Sequence, residues 1–317
     1  MNEVFDVCVD ILHYWGDIVG LTYKEINVWI FVIIEPIIFI LMLVWIMRLR
    51  RKLKDMKKLG FILFLVPLIS FGQPTIETKF NPPEGFERAY NDEYSKFLRK
   101  MPLKKNNIVK LYDGTNKYNA EIWAAVFDYD IGTADLHQCA DAVLYMRANH
   151  LYKQGLTKSL HFNFVSGFTA NYLDYLTHYY KVEGNRVSLV PRNTTLEDNS
   201  ETLRSWLRQI WMWANTWSLD EYDSSQVNIL DMRPGDFFIE SKPPPGIGHA
   251  VNVVDVVVNS TTKKKKFMLS QSYMPAQETH ILINPESGDV WYTLDEFKDI
   301  ETPEWTFTVN QLKRFKP

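Results

Sequence analysis

Cys139 and His249 are the two residues whose types and settings best suit a nucleophile and its base. Cys139 sits in "DLHQCADAV" and is one of only two cysteines in 317 residues. The other, Cys8, belongs to an upstream apolar segment, so Cys139 has no disulfide partner near it and reads as a reactive thiol or an intermolecular link. Thr133 and Asp135 are helix-capping residue types, and Ala140, Val143, Leu144 and Leu151 recur at helical spacing as far as Gly155. A helix beginning near Leu136 or His137 places Cys139 in its first turn, where unpaired N–H groups favour thiolate over thiol. A helix capped by Thr133 leaves the cysteine too deep for that effect. The competing interpretation is a buried cysteine acting as a small hydrophobic residue.

A thiol nucleophile needs a base within hydrogen-bond reach, and the chain has seven histidines. His13 lies outside the main domain. His150 is about 16 Å along the same helix at about 1.5 Å per residue, and His137 faces another side of any helix it shares with Cys139. His161 and His178 remain open, and His280 begins a strand. His249 has the most suitable setting: "GIGHAVNVVDV" puts it after Gly248, which permits close approach, and at the head of an apolar strand that makes a rigid platform. A third polar group must hold such an imidazole. The returning strand offers Ser270 and Gln271, with Gln277 and His280 further on, and Gln271 is the preferred orienter. Gln138 and the helix-end N–H groups are the candidates to steady an oxyanion. The spacing of His161, His249 and His280 matches no compact ligand motif, so neither metal nor cofactor is expected.

The elements that must position these residues fall into an α+β order. "IVKLYDG" (108–114) and "AEIWAAVFDYDIGT" (120–133) read as strands, followed by the Cys139 helix and a strand around Leu160, Phe162 and Phe164. A second helix starts near Asn199 or Ser200, with Leu203, Trp206, Leu207, Ile210, Ala214 and Trp217 on one face. Four strands follow, at 235–240, 248–258, 267–273 and 278–284, and the lysine-rich 259–266 forms a hairpin tip. Residues 74–106 read as a surface arm, with a short helix from about Phe86 to Arg99. The divisions expected are thus 1–55, 56–72, a 73–106 arm and a 107–317 globular domain.

Val28 to Met47 is about the length needed to cross a bilayer, with Glu35 and Pro36 near its middle. The basic run Arg48 to Lys58 that follows marks the cytoplasmic side. Residues 56–72 then carry a charged start, an apolar run and the small-residue end Ser70-Phe71-Gly72, the pattern of a secretion signal cleaved before Gln73. Either translation starts at Met56, or the full chain carries two membrane elements. Both readings export the remainder to the periplasm, free or anchored and facing it. The net charge is −3, and the basic run supplies much of the positive side, which argues against nucleic acid as partner. Seven of ten tryptophans lie beyond Gln73, and packing is their expected role.

Cys139, the turn Pro234-Gly235-Asp236 and Gly248-His249 resemble, in order, the papain-like group and its NlpC/P60-type cell-wall peptidases. Ala140-Asp141 departs from the small pair usual after the cysteine there, and a Trp-rich helix is inserted between cysteine and histidine. A closer resemblance spans residues 80–317. "LYDG", "QCADAVLYMRANHLY", "GDFFI", "GHAVNVVDV", "QSYMPAQETHIL", and "TPEWTF" followed by "LKRF" are similar, in that sequence, to an exported bacterial family described as domain of unknown function 4846. That resemblance implies an envelope location and no particular activity. Two functions are therefore expected: a cell-envelope cysteine hydrolase acting on peptidoglycan or an envelope peptide, or a non-catalytic module that binds glycan or peptide around a structural cysteine.

Overall fold

The computed structural model describes residues 9, 12–16, 18–34, 36–45 and 73–317. The chain forms two compact units, Met1–Ser70 and Phe71–Pro317. In the first, Tyr23–Trp45 is a helical stretch of 23 residues holding an 18-residue window of mean hydropathy 2.7, compatible with a signal anchor or a membrane segment. Thr22 caps it and accepts from the Glu25 N–H, while Glu25 answers the Thr22 N–H. Cys8, Glu35, the basic run and the signal-like stretch 56–72 lie outside the described residues.

The second unit is α+β. Its strands are β1 (Phe86–Arg88), β2 (Trp123–Val126), β3 (His161–Asn163), β4 (Thr169–Asn171), β5 (His178–Glu183), β6 (Arg186–Pro191), β7 (Ser224–Gln226), β8 (Phe237–Glu240), β9 (His249–Asn259), β10 (Lys265–Gln271), β11 (His280–Leu282), β12 (Tyr292–Thr293), β13 (Ile300–Glu301), β14 (Thr306–Phe307) and β15 (Leu312–Phe315). The helices that matter here are α1 (Glu93–Arg99), α2 (Cys139–Lys153), α3 (Ser200–Trp213) and α4 (Thr216–Glu221). The main sheet runs β2-β11-β10-β9-β8-β15-β7, with β1 also on β9 and β12 also on β10, all antiparallel.

The central strand β9 is apolar over most of its length because both its faces are covered. Ala250, with Phe237 and Ile239 of β8, packs on Ala140, Val143 and Leu144 of α2 and on Trp206 and Ile210 of α3. Val251, Val253 and Val256 pack on the other side with Phe238, Phe267, Leu269 and Phe307. A bulge opposite Met268/Leu269 lets Val253 and Val256 share that face despite their spacing. Asp255, at the bulge and fully buried, pairs with Arg88 (2.8 Å) and Arg99 (2.7 Å).

Four sequence expectations need correction. Residues 74–106 are no surface arm, because Ile76, Leu98, Met101 and Leu103 are in the core and Arg99 anchors to Asp255. The helix expected from Phe86 begins only at Glu93, where Asp92 caps it, and Phe86–Arg88 pairs with β9 instead. The stretch 108–114 makes isolated bridges through Lys110 and Leu111 rather than a strand. The second helix, capped by Asn199, ends at Trp213, so Trp217 belongs to α4. The packing role expected for tryptophan fits Trp123, Trp206, Trp211 and Trp291, which are buried.

Candidate functional site

Cys139 is the first residue of α2, with Gln138 as its N-cap, so the helix starts later than Thr133 or Asp135 would have set it. Asp141, in the first turn, accepts the Gln138 backbone N–H at 2.9 Å. The backbone N–H groups of Ala250, Ala140 and Cys139 itself favour the thiolate. Burial outweighs them: the side chain is 6% exposed, and desolvation, with the nearby Asp141 carboxyl, pushes the thiol up to about 11. The helix-end activation expected from sequence is therefore present in geometry and overruled by desolvation, and the resting group is a thiol.

His249 opens β9, where Gly248 is obligatory. A Cβ at Gly248 would stand 2.2 Å from the Glu240 carbonyl oxygen and 2.7 Å from Thr216 Oγ1. Successive strand residues point to opposite faces, so Ala250 meets α2 while the His249 ring lies among Tyr273, Trp305 and Phe307. Its Nε2 is 2.8 Å from Gln271 Oε1. Burial holds the imidazole down at about 4, partly offset by the Gln271 bond, so the ring is neutral at pH 7.

The polar chain continues. Gln271 Nε2 donates to Glu304 Oε2 at 2.5 Å, and Lys117 Nζ reaches both Glu304 oxygens at 2.8 and 2.9 Å. A carboxylate only accepts, so Gln271 must turn its NH₂ to Glu304 and its oxygen to His249. His249 Nε2 then carries the hydrogen, and Nδ1, which makes no hydrogen bond, carries the free lone pair. Burial raises the Tyr273 phenol, with Glu304 and then the Cys139 sulfur adding to it. No hydrogen bond joins Cys139 to His249.

A cavity of about 230 Å³ opens over the thiol, lined among others by Gln138, Cys139, Asp141, Trp211, Thr216, Gly248 and Met274. Asp141 Oδ1 and Trp211 Nε1, both buried, have no partner there. Desolvation lifts the Asp141 carboxyl to about 8, so it is largely protonated at neutral pH. The Gln138 side chain is engaged, its Nε2 donating to Asp135 Oδ1 at 3.1 Å.

Cys139 and Gln138 line this cavity, whereas His249 and Gln271 are bonded to each other on the opposite face of the sheet, and the Pro-Gly-Asp turn lies outside the cavity as well. Asp236 accepts from Arg314 (2.6 and 2.8 Å) and from the Arg233 N–H, and Gly235, at φ 92°, lets the Tyr94 ring lie over the turn. Its role is to tie β8 to β15. Of the other histidines, His161 is exposed on β3, His178 binds Thr177 on β5, and His280 is buried with Nδ1 toward the Glu278 carbonyl. Among the described residues no group of three His, Cys, Asp or Glu could hold a metal ion. Lys117, Tyr273 and Glu304 escaped the sequence reading. Glu304 sits inside "TPEWTF", a stretch singled out for resemblance but not for chemistry.

Taken together these features define an α+β domain with a cysteine at a helix mouth and a glutamine-held histidine on the adjoining sheet. The chain belongs to the family described as Domain of unknown function (4846), whose model matches residues 76–314. No curated protein and no solved structure matches it.

Proposed function

We propose that this protein is a cysteine hydrolase of the cell envelope, cleaving an amide or peptide bond, with a papain-like division of roles. The observation that carries the reading is the His249–Gln271 hydrogen bond, which leaves Nδ1 unoccupied on a neutral imidazole one residue past Gly248, which lines the cavity over Cys139. Substrate binding must bring the Cys139 sulfur, on the α2 side of the sheet, within hydrogen-bond reach of Nδ1 at the head of β9. The thiol proton passes to Nδ1 as sulfur attacks the carbonyl carbon, and the imidazolium returns that proton to the leaving amine as the C–N bond breaks. Water then attacks the thioester, giving its proton to Nδ1, and the carboxylate product leaves with the sulfur reprotonated. The backbone N–H groups of Cys139 and Ala140 are the donors available to the oxyanion, with Gln138 at the cavity wall. A thiol held near 11 by burial makes this a proton-transfer mechanism rather than a preformed thiolate–imidazolium pair.

The N-terminal apolar helix supports export, with the domain on the periplasmic side, free or anchored, and peptidoglycan or an envelope peptide as substrate. The test is hydrolysis of peptidoglycan fragments by wild type, Cys139→Ser and Cys139→Ala. Loss in both variants with retained folding is expected, and activity surviving both ends the reading.

One observation favours a second reading, a binding module with a structural cysteine: the sulfur is almost fully buried and makes no bond to His249. Under it, Cys139→Ala leaves ligand binding intact and no substrate is turned over.

A further inference from the structure

We infer that the Glu304–Lys117 ion pair is a tautomer lock for His249, making both residues positioning residues of the proposed hydrolase. The geometry rests on four consecutive contacts: Lys117 to Glu304 (2.8 and 2.9 Å), Gln271 Nε2 to Glu304 (2.5 Å) and His249 Nε2 to Gln271 Oε1 (2.8 Å). A glutamine amide can be turned end for end at almost no cost in shape. Alone, Gln271 could offer His249 either its oxygen or its NH₂, and each choice selects a different imidazole tautomer. An oxygen selects Nε2–H and frees the Nδ1 lone pair. An NH₂ selects Nδ1–H, which cannot take a proton at Nδ1.

Glu304, bound on both oxygens by the Lys117 ammonium, removes the choice because a carboxylate can only accept. The Lys117 side chain is 5% exposed and its ammonium is bound on both carboxylate oxygens, which makes this pair better sheltered from solvent and salt than a surface ion pair. Lys117 also lies over the Tyr273 ring, 5.3 Å from its centre, and that ring stands edge-on to His249 at 4.8 Å. The pair thus acts on the base at two removes, through Gln271, and touches neither thiol nor substrate.

The lock deepens the hydrolase reading yet can be observed without substrate. Full-length protein labelled with ¹⁵N-histidine, its His249 signal assigned by loss in His249→Asn, reports the protonated ring nitrogen at neutral pH. Wild type is expected to show Nε2 protonated and Nδ1 bare. Glu304→Ala, and Glu304→Ala with Lys117→Met to avoid a stranded ammonium, are expected to populate the Nδ1–H form and to lower kcat about tenfold or more. Glu304→Gln, whose amide oxygen can still accept from Gln271 and Lys117, is expected to restore the wild-type tautomer. An Nδ1–H form in wild type, or an unchanged Nε2–H form in the double variant, overturns the lock. A tautomer that shifts as described in a protein that hydrolyses nothing keeps the lock and removes the hydrolase.

Discussion

His249 Nε2 lies 2.8 Å from Gln271 Oε1, two side chains from adjacent strands on the face of the sheet away from α2. That bond holds a buried, neutral imidazole in one orientation. Truncating Gln271→Ala strands the Nε2–H and leaves the Glu304 carboxylate to Lys117 alone. Stability should fall by about 1–3 kcal/mol, and hydrolysis by about tenfold or more, read by denaturant melts and by turnover on the same samples. Unchanged values in both would mean the bond is incidental.

Burial sets the reactivity of Cys139. With the thiol held near 11, alkylation by iodoacetamide, followed by mass spectrometry of the Cys139 peptide, should be slow at pH 7. The rate should rise about tenfold per pH unit as the thiolate fraction grows, levelling only near the folded pKa. A plateau already reached at neutral pH would show a preformed thiolate.

Asp141 gives stability a pH dependence of predictable sign. Its folded-state pKa, about 8, lies above the unfolded value near 4, so the folded chain holds a proton that the unfolded chain has released across that window. This stabilising contribution is fully present below the unfolded value and is lost as pH rises towards 8. Asp141→Asn lacks the term. Relative to wild type it should gain up to about 1.4 kcal/mol per pH unit between pH 5 and 8, and thermal melts across that range check it. A pH-independent difference would contradict the buried-carboxyl account.

Gly248 permits the approach of β9 to Glu240 and Thr216. Gly248→Ala puts a methyl against backbone, 2.2 Å from the Glu240 oxygen, where no flexible side chain can yield. A loss of about 1–3 kcal/mol or more is expected, along with displacement of His249 and hence of activity. A melting temperature equal to wild type would refute the close contact.

Much of this site was legible in sequence because its signals are local. Gly248-His249 at a strand head, Gln271 on the returning strand and Cys139 at a helix start each follow from a few neighbouring residues. Asn199 likewise announced its helix. The rest depends on partners far apart in the chain: Lys117 and Glu304 are separated by 187 residues, and Arg99 by 156 from Asp255. A short amphipathic run such as Phe86–Arg88 takes its strand form from β9, not from its own propensity. The hairpin β5–β6 carried a readable Gly184-Asn185 turn between alternating residues and was still missed. Whether helix dipole or desolvation governs a thiol is decided by burial, which no local pattern reports.

Covalent capture tests the central claim most directly. Wild type, His249→Ala and Cys139→Ala would each be incubated at pH 7 with a peptidoglycan stem peptide carrying an electrophilic ketone, and the intact mass measured. The account predicts one adduct per chain on Cys139 in wild type, much slower capture without His249, and none without Cys139. No adduct in wild type, or equal rates with and without His249, would contradict it.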